Sequence, residues 1–138
     1  MRKDAFHYCV REALEKEGWQ ITADPLELTI GEVELFADLG AERLIAATRG
    51  SEKIAVEIKS FIGQSPVSEF HKAIGQYDNY VYSLAELDPE RTIWLAVSQI
   101  AWDDFFQRPF IKKVVSNKKL NCLIFDHETQ TIVQWIRR

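Results

Sequence analysis

Apolar residues near the start of the chain recur at the spacing of an α-helix. Within residues 5–17 they occupy the i, i+3, i+4, i+7 and i+8 positions, namely Phe6, Cys9, Val10, Ala13 and Leu14. Asp4 can cap this helix, and Gly18 can end it. The pattern predicts a first helix with one apolar face, followed by a short strand at 19–22.

The next stretch alternates apolar and polar residues, which is typical of β-strands. Runs at 26–30 and 33–38 flank a glycine-containing break and predict a β-hairpin. A second pair of strands is predicted at 44–48 and 54–59. Because side chains alternate across a strand, two faces of the last strand are predicted. They carry Ile54, Val56 and Ile58 on one side, and Ala55, Glu57 and Lys59 on the other.

A long helix should follow. Ser65 supplies an N-cap and Pro66 a first helical position, and the helix is expected to run to about Leu87. Gln76 and Tyr80 are four residues apart, so they project together from a face beside the core stripe. The predicted stripe is Phe70, Ile74, Tyr77, Val81 and Leu84.

A continuous apolar run at 92–97 predicts a strand buried on both faces. The remaining helices and strands are predicted, in chain order, at 102–107, 109–115, 122–125 and 131–136. This order predicts one α/β domain over residues 1–138, with a central mixed sheet flanked by helices.

Composition narrows the class of protein. A chain of 138 residues is long enough to bury a core, and no apolar run approaches the roughly 20 residues that span a bilayer. Cys9 and Cys122 lack metal-ligand spacing, so we expect buried thiols in a cytoplasmic protein without membrane association. The histidines lack zinc-site spacing, and the chain has no nucleophile elbow or glycine-rich phosphate loop.

The net charge of -4 argues against non-specific coating of nucleic acid. It does not exclude a nuclease, because bound cations reverse the charge of a carboxylate site. A late cluster of basic residues is either a DNA contact or a solvated face. Its members are Arg108, Lys112, Lys113, Lys118 and Lys119.

A charged pair within an apolar strand is the main candidate for chemistry. Glu57 and Lys59 would sit about 6.6 Å apart along the strand, at about 3.3 Å per residue, so both can reach one ligand. Such a pair costs stability unless something nearby uses it. The alternative is a cross-strand ion pair on a solvated sheet face.

Further residues extend this pair. Asp38 lies at the end of a predicted strand, upstream of Glu57-Ile58-Lys59. The set and the element order resemble the PD-(D/E)XK nuclease superfamily. That resemblance implies a restriction-endonuclease-like α-β-β-β-α-β core with C-terminal helices and strands added. It also implies that Asp38, Glu57 and the Ile58 carbonyl hold Mg²⁺ or Mn²⁺. Lys59 would contact the attacking water or the scissile phosphate.

Gln76 and Tyr80 resemble the helix motif of the RecB-like branch of that superfamily. The resemblance implies that they orient the substrate or Lys59. The simpler interpretation of Gln76 and Tyr80 is a helix surface with an aromatic residue at the edge of the core. The simpler interpretation of Asp38 is a turn residue.

A second resemblance covers nearly the whole chain. The segments that carry it are 38–42, 56–61, 75–77, 95–97 and 132–136. They are similar to the XisH family, named for control of excision of the fdxN DNA element in cyanobacteria. This implies action on DNA beside a site-specific recombinase and a companion protein, XisI.

Two functional hypotheses follow. The first is a metal-dependent deoxyribonuclease that supports excision of a DNA element. The second is a non-catalytic accessory that binds DNA or a partner protein and regulates the recombinase. Lys112, Lys113, Lys118 and Lys119 are the candidate DNA contacts in both. Open sheet edges and four tryptophans also suggest a homodimer.

Overall fold

The structure is a computed structural model that describes residues 2–31, 33–34, 43–61 and 65–138. Its helices and strands follow the predicted order. In sequence they are α1 (Arg2–Lys16), β1 (Gln20–Ala23), β2 (Thr29–Ile30), β3 (Val33–Glu34), β4 (Arg43–Arg49), β5 (Glu52–Ile58), α2 (Pro66–Leu87), β6 (Arg91–Ser98), α3 (Gln99–Asp103), a 3-10 helix (Phe105–Gln107), α4 (Pro109–Asn117), β7 (Cys122–Asp126) and β8 (Thr131–Ile136).

The main sheet has six strands in the order β1-β4-β5-β6-β7-β8. The central strands β5, β6 and β7 run parallel, and the outer pairings are antiparallel. The predicted hairpin forms between β2 and β3, although these strands are only two residues long and pair with each other in a separate sheet. Positions 35–38 of that prediction lie outside the described residues.

Side chains of β5 divide the core into two clusters, one on each face of the sheet. The cluster on the α1 side includes Cys9, Val10, Leu14, Ile45, Ile54, Val56, Ile58 and Trp94. The cluster on the α2 side includes Leu44, Ala55, Phe61, Phe70, Tyr77, Tyr80, Leu95 and Val97. The predicted central mixed sheet with helices on both faces is therefore confirmed. Within the ranges described above, no helix is long and apolar enough to cross a bilayer.

Helix α1 starts earlier than predicted. It begins at Arg2, so the expected cap at Asp4 is wrong; the basic residues before Asp4 are themselves good helix formers. Its end is as predicted, because Gly18 adopts a φ of 89°, a backbone conformation that glycine tolerates. Cys9 and Cys122 are buried free thiols, as expected.

The start of α2 is confirmed in detail. The Ser65 hydroxyl accepts a hydrogen bond from the Ser68 N–H at 3.1 Å, and Pro66 is the first helical residue. The predicted core stripe is wrong at Val81, which is 42% exposed, whereas Tyr80 is buried. A helical stripe can pass through 73 and 80 or through 74 and 81, since both sets fit the 3.6-residue period. The sheet covers the first set.

Asp88 joins the end of α2 to the starts of two strands. Its carboxylate accepts hydrogen bonds from Lys53 Nζ at 2.7 Å and Arg91 Nε at 3.0 Å. The Lys53 hydrogen bond is the main cause that lowers the pKa of Asp88, with Arg91 adding to it. A lowered pKa in the folded state means that this carboxylate stabilises the fold above its unfolded pKa of about 3.9. That stabilisation is lost as the pH falls through the folded pKa.

We therefore expect Asp88→Asn to lower the free energy of unfolding by about 1 kcal/mol at neutral pH. The difference from the wild type should shrink as the pH drops below about 4. Urea unfolding at neutral and acidic pH measures it. Asp78→Asn is the control, because Asp78 forms a more exposed ion pair with Lys118. A deficit of Asp88→Asn that persists unchanged in acid would contradict this assignment.

Candidate functional site

Glu57 and Lys59 lie inside the protein. Only 1% of Glu57 and 2% of Lys59 is exposed to solvent. Strand alternation places Glu57 on the α2 side of β5, where it pairs with Leu44 on one neighbouring strand and Leu95 on the other. Lys59 follows the last residue of β5, and its N–H donates to the Ala96 carbonyl at 3.5 Å. The alternative of an ion pair on a solvated sheet face is therefore wrong.

The middle of α2 covers this part of the sheet. Leu44 and Leu95, the cross-strand neighbours of Glu57, pack in one core cluster with Tyr77, which places Glu57 near this helix. Burial raises the pKa of Tyr77 to about 12, and the negative charge of Glu57 adds to the increase. Tyr80 is 1% exposed, so it belongs to the core rather than to its edge. Gln76 flanks the buried stripe, and its Oε1 atom is buried without a hydrogen-bond donor among the described residues. The structure thus places Glu57 and Tyr80 in the layer between the sheet and α2, with Gln76 on the same helix and Lys59 buried just past the end of β5.

The backbone just after Lys59 adopts a left-handed conformation at Phe61. Phe61 has a φ of 56°, which costs a bulky residue about 1–3 kcal/mol and persists only when its surroundings hold it. Its N–H donates to the Glu69 carboxylate at 2.8 Å, and its ring contacts Phe106 at a centroid distance of 5.0 Å. These contacts fix where the backbone leaves the sheet beyond Lys59.

Sequence reasoning missed Glu69. Its only sequence signal is an acidic side chain in the first turn of α2, where the helix dipole favours negative charge. The left-handed conformation of Phe61 has no sequence signal, because such positions normally hold glycine or asparagine.

The basic cluster is divided between the two ends of the sheet. Arg108 lies 5.2 Å above the Phe105 ring, and Phe105 stacks on Phe61, so Arg108 is near the end of the sheet that carries Lys59. Lys118 and Lys119 come just before β7, toward the amino-terminal ends of the parallel strands. Lys112 and Lys113 are exposed on α4. The structure therefore does not gather the four lysines at Glu57.

The other two predicted metal ligands are Asp38 and the Ile58 carbonyl. Asp38 lies outside the described residues. The Ile58 side chain points to the α1 side of the sheet, and Ile58 is the last residue of β5. In the part of the chain that the structure describes, no group of three His, Cys, Asp or Glu side chains is arranged to hold a metal ion.

Comparison with known proteins identifies the family. A family model described as XisH protein matches residues 1–133. The chain belongs to the XisH family. Two solved structures are similar over 97% of this chain, each with a TM-score of 0.90. One is an XisH family protein from Nostoc punctiforme PCC 73102, 47% identical, with 100% of its own chain covered. The other, from Anabaena variabilis, is named an fdxN element excision controlling factor protein; it is 44% identical, with 99% covered.

No curated protein matches the chain. The XisH resemblance read from the sequence is confirmed, and the relative from Anabaena variabilis carries the excision name associated with it. Membership of the PD-(D/E)XK superfamily stays a prediction, as do the roles assigned to Asp38, Glu57, Lys59, Gln76 and Tyr80.

Proposed function

We propose that this XisH protein acts in excision of a DNA element and hydrolyses DNA phosphodiesters at a metal site built on Glu57 and Lys59. The observation that carries the proposal is the burial of these two opposite charges, 1% and 2% exposed, at the carboxyl end of β5. Removing a carboxylate and an ammonium from water costs several kcal/mol for each ion. Functional sites are where proteins commonly retain such groups.

Topology supports the proposal. Without the β2–β3 hairpin, the order α1-β1-β4-β5-α2-β6 follows the α-β-β-β-α-β arrangement of the nuclease superfamily. Ligands of sheets with parallel strands bind beyond the carboxyl ends of those strands. Glu57 and Lys59 are at the carboxyl end of β5, beside the parallel strand β6.

The available atoms suit a hard divalent cation. Mg²⁺ prefers carboxylate and carbonyl oxygens and retains several waters. Glu57 supplies a carboxylate, and the buried Gln76 Oε1 is an oxygen without a hydrogen-bond donor in the described ranges. Asp38 and the Ile58 carbonyl would complete the set. Bound there, the ion would acidify a water molecule and neutralise charge on the phosphate.

The side chains of this protein would supply the rest of the chemistry. The Lys59 ammonium is a positive donor for the phosphate oxygens, where negative charge increases during hydrolysis. Tyr80 is packed in the same layer and would hold the direction of the lysine stem. Because few waters enter so buried a site, the attraction between Lys59 and a phosphate is stronger than it would be at the surface.

Glu57→Gln tests the proposal. We expect the wild type to cleave plasmid or linear DNA with Mg²⁺ or Mn²⁺, and this variant to cleave at least about 100-fold more slowly, because the metal loses a charged ligand. Gel electrophoresis of the products, with a chelator as blank, measures the rates. Glu86→Gln, at an exposed position of α2, is the control. Equal cleavage by Glu57→Gln and the wild type would refute the metal site.

The burial of Glu57 and Lys59 also favours a second function. A scissile phosphate must reach these groups, and only 1–2% of either residue is open to solvent. In a regulatory accessory, the same scaffold binds DNA or an XisI-like companion and controls a recombinase. Excision in a reconstituted recombination assay would then survive Glu57→Gln. Excision would be weakened by charge reversal at the four basic positions Lys112, Lys113, Lys118 and Lys119.

A further inference from the structure

A cavity lies on the α1 side of the sheet, at the amino-terminal end of β5. Its volume is about 210 Å³, and we call it the tryptophan pocket. Its principal lining residues are Trp19, Trp94, Trp135, Arg49, Glu52 and Arg137. Glu52 precedes Glu57 by five residues, which is roughly 16 Å along a strand, and it points to the opposite face. The pocket is therefore separate from the candidate metal site.

Three indole rings form its walls. Trp19 and Trp135 have centroids 5.7 Å apart and planes tilted by 35°. Trp94 stands almost perpendicular to Trp135, with a centroid distance of 5.0 Å and an interplanar angle of 89°. Rings held in two directions present both a flat face and a perpendicular edge to an entering molecule, which suits another planar aromatic group.

One indole N–H beside the pocket has no hydrogen-bond acceptor among the described residues. The Trp94 N–H donates to the Thr92 hydroxyl and the Trp135 N–H to the Glu17 carboxylate, each at 3.0 Å. Trp19 is only 4% exposed, and its Nε1 atom has no acceptor among the residues that the structure describes. Buried donors are nearly always hydrogen-bonded, so an acceptor that reaches the Trp19 N–H, from a ligand or from water, is expected.

Two arginines and Glu52 form the rim of the pocket, and Arg49 also donates to the Glu17 carbonyl at 3.1 Å, with its guanidinium 4.0 Å from the Glu17 carboxylate. The Arg49 guanidinium lies 4.5 Å above the Trp19 ring, and that of Arg137 lies 5.0 Å above Trp94. Glu52 bridges the two arginines, at 3.6 Å from Arg49 and 3.3 Å from Arg137. All three side chains are about half exposed, so these ion pairs contribute little. A phosphate group offers the arginines more charge and bidentate hydrogen bonds, so it can displace Glu52.

We propose that the tryptophan pocket binds one unpaired nucleobase together with its phosphate. The base stacks on the indole rings, while the phosphate pairs with Arg49 and Arg137. A volume of about 210 Å³ is below the roughly 300–1,000 Å³ of drug-sized pockets, so it encloses the base while the phosphate stays at the exposed rim. Base stacking tolerates any sequence because every base has a π-face. This site does not depend on DNA cleavage at Glu57.

Tryptophan fluorescence tests the proposal, because three of the four tryptophans line the pocket. The probes are dTMP, thymidine, a short oligothymidylate and a duplex of the same length. We expect saturable quenching by dTMP or the oligothymidylate, and weaker binding of thymidine, which lacks the phosphate. Arg137→Ala should weaken binding at least about tenfold, and Glu52→Gln should tighten it because the competing carboxylate is removed. Lys72→Ala, at an exposed site on α2, should have no effect.

The probes also distinguish two sources of the nucleotide. Comparable affinities for dTMP and the oligothymidylate indicate a free nucleotide, whereas binding of the oligothymidylate alone indicates single-stranded DNA. Absence of saturable quenching by both, or weaker binding by Glu52→Gln, would overturn the proposal. Arg137 and Glu52 are on the surface, so circular dichroism should show both variants folded. Cleavage that depends on Glu57 would stand even if this pocket bound nothing.

Discussion

Lys59→Met is expected to lower the rate of metal-dependent DNA cleavage by about 100- to 1,000-fold, the usual effect of removing one donor from developing negative charge. Methionine keeps the length and apolar stem of lysine but removes the ammonium. Rates of plasmid nicking, measured with saturating Mg²⁺ or Mn²⁺, give the effect. Lys53→Met is the matched control, because Lys53 lies at the other end of β5 and pairs with Asp88.

The same change should also alter stability, and this separates chemistry from folding. Removing one of two opposite buried charges typically costs 3–5 kcal/mol, because the other charge remains buried without compensation. We expect the double variant Glu57→Gln, Lys59→Met to recover most of that loss and to remain inactive. Urea unfolding of both single variants and the double variant measures the coupling between the two sites. Undiminished cleavage by folded Lys59→Met would exclude a role for the ammonium.

Phe106→Ala is expected to lower the free energy of unfolding by about 3–5 kcal/mol. Phe106 is 1% exposed and occupies the centre of an aromatic cluster. Its ring centroid lies 5.0 Å from that of Phe61, 5.8 Å from that of Phe70 and 5.7 Å from that of Trp102. Truncation removes a large buried surface and leaves a cavity against the ring of Phe61, two residues after Lys59.

Phe110→Ala is the matched control for this loss. Phe110 is the same residue type, four positions later, and is 66% exposed. Its truncation should change the free energy of unfolding by no more than about 0.5 kcal/mol, as is usual for surface positions. Chemical unfolding followed by circular dichroism measures both variants. Similar losses for the two would mean that the aromatic cluster does not carry the stability that its burial implies.

Local rules predicted the elements that depend on neighbouring residues. The cap at Ser65 and the proline after it located the start of α2 to the residue, because both act within one helical turn. Strand alternation predicted the face of β5 that carries Glu57, because that period is fixed by backbone geometry, and Lys59 follows just past the end of the strand. Their depth could not be predicted, since it depends on which helix covers that face.

Features that join distant parts of the chain could not be predicted. Strand β1 pairs with β4 across the intervening hairpin, and the Trp19 ring meets Trp135 from the opposite end of the chain. Sequence periodicity contains no information on such contacts. The choice between Tyr80 and Val81 failed for a similar reason: both fit a helical stripe, and only the position of the sheet decides which is buried.

Alternate residues of strand β5 point to opposite faces of the sheet. The number of residues in this strand therefore matters more than the identity of most of its side chains. Inserting or deleting one residue between Ile54 and Glu57 would transfer Glu57 and Lys59 to the α1 side. The same shift would turn apolar residues away from the core cluster there. Conservative substitutions should be tolerated along this strand far better than any change in the number of its residues.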